Sequence, residues 1–165
     1  MTSITPFLWF DGTAEEAARF YTSTFPDSRI DNVDRSPADN PSVKEGAVLT
    51  VSFTLAGQRF VALNGGPDFT FNEAVSFAID CEDQAEVDRY WDALTANGGE
   101  PGPCGWLKDR FGLSWQVIPK RMQELFSSPD RDGAKRAMDA MLKMQKLDVA
   151  ELEAAFDGRP VGSPG

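Results

Sequence analysis

The chain has 165 residues, of which 41% are apolar, enough for one domain or for two half-domains that share a core. Its net charge of −10, with no cluster of Lys and Arg, argues against nucleic acid as a partner. The sequence contains no histidine, which excludes Ser-His-Asp and Cys-His catalysis and the common zinc and non-haem iron sites. Any proton transfer must therefore use a carboxylate, Lys, Tyr, Cys or water.

The compartment is indicated by the first residues and by the cysteines. The segment MTSITPFLWF lacks the basic region and long apolar run of a signal peptide, and no stretch reaches 18 consecutive apolar residues. Cys81 and Cys104 are too few for a disulfide framework and lack zinc-ligand spacing. We therefore expect a cytoplasmic protein with no membrane span and two reduced thiols. A reactive Cys104, in the glycine-rich segment GPGPCGW, is the alternative.

The first half of the chain predicts one strand, one helix and three further strands. A turn at Asp11-Gly12 precedes the helix, where Thr13 and Glu16 are in capping-box register, and Phe25-Pro26 ends it. Alternating apolar residues around Ala56-Gly57 indicate a hairpin. The predicted strands are residues 4–10, 28–35, 47–55 and 58–63.

The second half repeats this plan. Glu82-Asp83 opens a helix that runs to about Asn97, and Asp109 to Gly112 forms a tight turn before the last strand. The predicted strands are residues 75–79, a short glycine-rich pair within 100–108, and 113–118. The helix residues expected to face inward are Val87, Tyr90, Trp91 and Leu94.

The two halves align at an offset of roughly 70 residues, which places Phe20-Tyr21 on Tyr90-Trp91. A βαβββ module of this length cannot cover its own sheet face, whereas two modules side by side can. We therefore predict an α+β fold in which residues 1–119 form two βαβββ modules, about 1–67 and 72–119, with cupped mixed sheets. The concave face of each sheet is the expected ligand site.

From residue 120 the sequence changes to amphipathic helical segments rich in methionine. The predicted helices are residues 121–126, 130–146 and 148–156. We expect this helical extension, residues 120–157, to pack on the body of the protein or on a second subunit; a lid over the pocket is the alternative. Residues 158–165 are predicted to be disordered.

Four stretches resemble one known family. They are PFLWFDGTAEEAARFYTSTFPDSRI (6–30), VALNGGPDFTFNEAVSFAIDCEDQAEVDRYWDAL (61–94), CGWLKDRFGLSWQVIP (104–119) and MDAMLKMQKLDVAELEAA (138–155). They are similar to the PhnB-like, 3-demethylubiquinone-9 3-methyltransferase-like branch of the glyoxalase/bleomycin-resistance/dioxygenase (vicinal-oxygen-chelate) superfamily. The resemblance implies the paired βαβββ fold, usually as a homodimer, with a pocket in each cupped sheet.

The resemblance also implies where a metal would bind, because enzymes of that superfamily hold a divalent ion through His, Gln or Glu on four strands. Gln116 stands where their last strand carries a glutamate, and Ile4 to Trp9 supplies neither a histidine nor a carboxylate. Glu73 lies beside one of the remaining positions, and Asn64 lies near the other. Neutral amides and one displaced carboxylate are poor ligands for iron, nickel or zinc, so we predict no metal.

The family label implies methyl transfer from S-adenosylmethionine. The common fold for that cofactor carries a glycine-rich loop that follows the first strand and opens a helix. Asn64-Gly65-Gly66-Pro67 instead ends a hairpin strand and leads into no helix. We therefore predict no cofactor.

The candidate ligand-binding residues are Trp9, Asn64, Trp106, Ser114 and Gln116. Strand alternation places Ser114 and Gln116 on one face and Trp115 on the other; whether Gln116 meets a ligand or only the backbone is open. Trp9 and Trp106 are either pocket walls or core residues, and Asn64 either faces the cup or caps a turn. Lys108 and Asp109 are expected to form a solvated pair.

Glu73 is the candidate general base, a role that requires burial to raise its pKa. The first functional hypothesis is a metal-independent protein that binds a small molecule, or that catalyses acid–base or positional chemistry. The second is an enzyme: a methyltransferase acting on a quinone-like phenol, or a metal-dependent lyase or dioxygenase. Fold analogy alone does not decide between them.

Overall fold

A computed structural model describes residues 1–160. Residues 161–165, which belong to the segment predicted to be disordered, lie outside the described residues. The chain divides into two compact units, Met1–Phe71 and the residues from Asn72 onward. Each unit contains one four-stranded sheet, and in both the elements follow the order strand, helix, strand, strand, strand. The predicted α+β class with C-terminal helices is confirmed.

The first unit places its strands in the spatial order β1-β4-β3-β2. Strand β1 runs parallel to β4, and the other neighbours are antiparallel. Ala56 and Gly57, both at positive φ, join β3 to β4, as a two-residue hairpin requires. The elements are β1 (Phe7–Phe10), α1 (Ala14–Thr24), β2 (Arg29–Arg35), β3 (Val48–Leu55) and β4 (Gln58–Asn64).

The core of the first unit lies between α1 and one face of this sheet. Ala17 and Ala18 are fully buried, and their small side chains allow the helix to approach the strands closely. The ring of Tyr21 stacks on Phe53 at a centroid distance of 6.2 Å, and Phe53 stacks on Phe60 at 5.5 Å. The opposite face of the sheet is left uncovered by α1.

The second unit repeats this arrangement in the strand order β5-β8-β7-β6, with β5 parallel to β8. Its elements are β5 (Ser76–Cys81), α2 (Gln84–Thr95), β6 (Glu100–Pro101), β7 (Trp106–Lys108) and β8 (Ser114–Pro119). The buried residues of α2 are the four predicted to face inward, Val87, Tyr90, Trp91 and Leu94. Helix α2 therefore covers one face of the second sheet, as α1 covers the first.

The C-terminal extension forms α3 (Lys120–Phe126), α4 (Arg131–Met141) and α5 (Val149–Phe156). Helix α4 ends at Met141, so the prediction of a helix to residue 146 is wrong at this end. The chain leaves the helix because the carbonyls of Met144 and Gln145 accept hydrogen bonds from the N–H groups of Cys104 and Gly105, each at 2.8 Å. The extension thus packs on the sheet-forming part of the second unit, to which it belongs.

Helix capping shows where a distant residue replaces a local one. Aspartate side chains cap α2, α4 and α5 through Asp83, Asp130 and Asp148. At α1, however, the predicted Thr13 side chain makes no capping bond. Asn64 Oδ1 accepts the Ala14 N–H at 2.9 Å instead, because β4 lies beside β1 and ends next to the helix.

The Cys81 thiol at the end of β5 is fully buried. Burial, and then the nearby charges of Glu86 and Asp80, raise its pKa from 9.0 to about 12. A raised folded-state pKa contributes stability that is present below pH 9 and is lost as the pH rises toward 12, since the unfolded chain releases its proton first.

The Cys81→Ala variant is therefore expected to lose less free energy of unfolding than the wild type as the pH rises from about 8 to about 10. The variant loses packing at every pH, but the gap in free energy of unfolding between it and the wild type is expected to narrow by about 1 kcal/mol from pH 8 to pH 10. Urea unfolding at the two pH values measures this gap. Lysine and cysteine side chains also titrate in this range, but both chains contain the lysines and Cys104, so their contributions cancel in the difference. A constant gap would contradict the assignment.

Among residues 1–160, no helix is both long and apolar enough to cross a membrane. The predicted homodimer and cytoplasmic location stay predictions.

Candidate functional site

The face of the second sheet turned away from α2 gathers most of the predicted site residues. In register, Ser114 pairs with Ser76 on β5 and with Lys108 on β7, while Gln116 pairs with Trp106. Residues paired directly across strands share a face, so these five side chains lie on one side. Trp115 is on the other side, against Phe77 at a ring distance of 5.7 Å.

A cavity of about 220 Å³ lies over this face, entirely within the second unit. Strand β7 forms its floor together with Ser114, and the β6–β7 loop forms one wall. The lining residues are Glu73, Glu100, Pro101, Gly102, Pro103, Trp106, Leu107, Lys108 and Ser114. Three of the predicted site residues therefore meet here: Glu73, Trp106 and Ser114.

The wall loop has a fixed shape. The Gly102 N–H donates to the Trp106 carbonyl at 2.8 Å, and a Cβ on Gly102 would lie 2.9 Å from that oxygen. A larger residue at position 102 would thus push the loop away from β7. The other end of the loop is held by the C-terminal segment through Cys104 and Gly105, which fixes the edge of the cavity next to Trp106.

Ser114 provides the least satisfied polar group in the site. Its side chain is 1% exposed, and its Oγ has no hydrogen-bond partner within residues 1–160. A buried hydroxyl without a partner costs about 1–3 kcal/mol. The residue that carries this cost also borders the cavity.

Gln116 is half-buried on the same face, but it is not one of the residues that line the cavity. Its Nε2 donates to Ser76 Oγ at 2.9 Å. The partner of its amide is thus a side chain of the neighbouring strand rather than the backbone. Among the described residues its Oε1 accepts no hydrogen bond, so the carbonyl oxygen is available to a ligand.

Glu73 does not meet the requirement for a general base. It is exposed and forms an ion pair with Lys108 at the edge of the cavity. The hydrogen bond from Lys108 is the main cause that lowers the pKa of the Glu73 carboxyl, and the same contact raises the pKa of Lys108. Glu73 is therefore a fully ionised, weakly basic group at neutral pH.

The predicted pair of Lys108 with Asp109 is also wrong. Asp109 is 2% exposed, and its carboxylate accepts from the N–H groups of Phe111 and Leu113 at 2.8 and 3.1 Å. Its second oxygen accepts from the indole of Trp115 at 2.8 Å. Side chains alternate along β7, so Lys108 lies on the same cavity face as Trp106. Asp109 comes after the end of the strand and belongs to the β7–β8 turn.

Lys108 and Glu100 line the cavity but were not among the predicted site residues. The signal for Lys108 was present, since it stands two residues after Trp106 on the same short strand. Glu100 pairs with Lys108 in the β6–β7 register, which no local pattern reveals.

Trp9 and Asn64 lie in the first unit. The Trp9 indole donates to the Gly66 carbonyl at 2.9 Å and packs edge-on against Phe69. A Cβ on Gly65 would lie 2.3 Å from the Trp9 ring, so the ring occupies the space that this glycine leaves. Asn64 is buried, and its Nδ2 donates to the Val48 carbonyl at 2.9 Å. Because α1 and β3 use both ends of its amide, we assign Asn64 a structural role.

A divalent metal does not fit these residues. Within residues 1–160 no three His, Cys, Asp or Glu side chains lie close enough together to hold an ion. The cavity face instead presents hydroxyl and amide groups, with one ammonium among its carboxylates. Transition metals favour imidazole, thiolate and carboxylate ligands, so this donor set gives no basis for metal chemistry.

S-adenosylmethionine does not fit either. Asn64 to Pro67 ends β4, and the next element is β5, so these glycines open no helix. The cavity on the second sheet, at about 220 Å³, is also smaller than the about 300–1,000 Å³ of pockets for drug-sized ligands, so this cavity does not hold a nucleoside cofactor together with an acceptor.

Comparison with known proteins identifies relatives of the sheet-forming part of the chain. The model of the family described as 3-demethylubiquinone-9 3-methyltransferase matches residues 2–118. This match ends before α3, so it does not extend to the resemblance noted for residues 138–155. No curated protein sequence matches the chain.

Solved structures agree with this match. A putative 3-demethylubiquinone-9 3-methyltransferase, the PhnB protein from Bacillus cereus, is 37% identical over 72% of this chain and 99% of its own, with a TM-score of 0.62. A protein from Pseudomonas aeruginosa is 20% identical over 72% of this chain and 98% of its own, with a TM-score of 0.54.

The fosfomycin resistance protein FosX from Listeria monocytogenes, 13% identical over 77% of this chain and 98% of its own, has a TM-score of 0.53. At this identity FosX shares the fold alone. With the family match over residues 2–118 and the similarity to the Bacillus protein, the chain belongs to the 3-demethylubiquinone-9 3-methyltransferase (PhnB-like) family, with the glyoxalase/bleomycin-resistance fold.

Proposed function

We propose that this protein binds a small polar molecule in the cavity of the second unit without a metal ion, and that any catalysis there is positional or acid–base. The observation that carries this proposal is the buried Ser114 hydroxyl, which has no partner within residues 1–160 and borders the cavity. A ligand that hydrogen-bonds to this hydroxyl removes the penalty of an unsatisfied buried group.

The neighbouring side chains supply the rest of a small binding site. Trp106 offers an aromatic wall, and Gln116 presents its carbonyl oxygen on the same face of the sheet. Lys108 stands directly opposite Ser114, so a ligand reaches the hydroxyl by moving this flexible side chain aside. The volume of about 220 Å³ suits a ligand smaller than a typical drug.

Methyl transfer to a quinone-like phenol is the second candidate, because the family model carries that description. It requires the protein to bind S-adenosylmethionine as well as the phenol. Binding of that cofactor is therefore the measurement that separates the two candidates.

Ser114→Ala is expected to raise the free energy of unfolding by about 1 kcal/mol while weakening ligand binding, because it removes a buried hydroxyl that has no partner. Urea unfolding measures the stability. Ser127→Ala is the matched control, since Ser127 is exposed at the end of α3 and does not line the cavity. A loss of more than 1 kcal/mol in Ser114→Ala would mean that the hydroxyl stabilises the fold and would contradict the proposal.

Binding is tested by titrating the protein with benzyl alcohol, which carries a neutral hydroxymethyl group on an aromatic ring, and following the backbone amide resonances. The proposal expects saturable shifts centred on Trp106 and Ser114, at least several-fold weaker binding in Ser114→Ala, and no change in Ser127→Ala. Elemental analysis of chelator-free protein is expected to find no stoichiometric transition metal. Saturable binding of S-adenosylmethionine, or a bound metal, would overturn the proposal in favour of the enzyme candidates.

A further inference from the structure

The cavity carries one more negative charge than positive charge. Its charged lining residues are Glu73, Glu100 and Lys108, so two carboxylates share one ammonium. Lys108 is paired with Glu73 by a direct ion pair, and it lies opposite Glu100 across the β6–β7 ladder. Among the described residues Glu100 forms no ion pair of its own. A second ammonium placed beside Glu100 would give each carboxylate its own cation.

The uncharged lining residues suit the same chemistry. A cation over the face of a tryptophan ring is attracted by the ring quadrupole, and Trp106 is the aromatic residue of the cavity. The Ser114 Oγ in the lining can accept an N–H hydrogen bond, and so can the Gln116 Oε1, which lies on the same face of the sheet outside the lining. An ammonium has three donors and no acceptor, so each of these oxygens and the Glu100 carboxylate is a hydrogen-bond partner of the right kind for it.

We infer that the ligand of the second-unit cavity is a small primary ammonium with a short apolar or aromatic body. The inference rests on the proposed function, because it names the ligand class of that same site. An anionic ligand would approach two carboxylates through the field of a protein whose net charge is −10. A neutral ligand fits the oxygens but leaves Glu100 uncompensated.

Three aromatic probes of similar size test the ligand class: benzylamine, benzyl alcohol and benzoate, each titrated at pH 7 against the whole protein. Benzylamine is protonated and benzoate is ionised at this pH, so the head group is positive, neutral and negative in turn. We expect benzylamine to bind about 3- to 30-fold more tightly than benzyl alcohol, and benzoate to bind least. The readout is again the shift of the Trp106 and Ser114 amide resonances.

Glu100→Gln is expected to reduce the preference for benzylamine over benzyl alcohol by about threefold. Glu45→Gln makes the same change of net charge in an exposed loop of the first unit and is expected to leave the preference intact. Both glutamates are exposed, so neither substitution endangers folding.

The outcomes separate the ligand class from the site itself. Binding of benzyl alcohol with no preference for benzylamine, or with benzoate preferred, would overturn the ammonium inference and leave the proposed binding function standing. An equal loss of preference in Glu45→Gln would show that only the overall field acts, which also overturns the inference. The absence of shifts with all three probes would overturn both proposals.

Discussion

Replacing Asp109 with alanine is expected to lower the free energy of unfolding of the second unit by about 3–5 kcal/mol. The buried carboxylate accepts hydrogen bonds from the backbone of Phe111 and Leu113 and from the indole of Trp115, and alanine leaves all three donors without this acceptor. The turn between β7 and β8 would lose these hydrogen bonds. Both strands contribute residues to the cavity face, so the loss also affects the site. Urea unfolding followed by tryptophan fluorescence measures the change.

Asp109→Asn distinguishes the contribution of the hydrogen bonds within the turn from that of the hydrogen bond with the Trp115 indole. The asparagine oxygen can still accept from the backbone of Phe111 and Leu113, while its NH₂ group would face the donor of Trp115. The cost of Asp109→Asn is expected to fall by about 1 kcal/mol when Trp115→Phe is also present, because the opposing donor is then gone. A loss below 1 kcal/mol in Asp109→Ala would contradict the role we assign to this carboxylate.

The second large effect is expected from Leu147→Ala, at a cost of about 3–5 kcal/mol. Leu147 is fully buried in a cluster with Ile118 of β8 and with Leu152 of α5. It also lies against Gly105, where an added Cβ would be 2.9 Å from its side chain. The residue therefore joins the C-terminal helices to the loop that borders the cavity.

The effect of Leu147→Ala on that loop is measured by amide hydrogen exchange. Cys104 and Gly105 donate to the carbonyls of Met144 and Gln145, so their amides are expected to exchange faster in the variant. Leu142→Ala is the matched control, since the same substitution five residues earlier affects a side chain that is 59% exposed. It is expected to change stability by less than 0.5 kcal/mol. Equal effects of the two variants would mean that the extension does not support the loop.

Two expectations that depended on local pattern agree with the structure. Alternation along the last strand placed Ser114 and Gln116 on one face and Trp115 on the other, and the register of β8 does the same. The inward face of α2 follows from its helical period in the same way. Each of these features depends on a repeat that neighbouring residues carry themselves.

The contacts around the site could not be predicted because they join residues far apart in the chain. Asn64 caps α1 although it lies 50 positions after Ala14, and Lys108 forms its ion pair with Glu73 rather than with the adjacent Asp109. Helix α4 stops at Met141 because a loop nearly 40 residues earlier offers N–H donors to the segment that follows. A periodic pattern contains no information about which strand or loop will lie opposite.

The sequence by itself determined the order of the elements, the duplicated βαβββ plan and the exclusion of histidine-based chemistry, since these follow from periodicity and composition. Only the tertiary structure decided that the cavity lies on the second sheet, that Ser114 is buried with no partner for its hydroxyl among residues 1–160, and that Glu73 is exposed and ion-paired with Lys108. Burial and charge pairing are set by strand register and by packing, which bring distant residues within a few ångströms of one another.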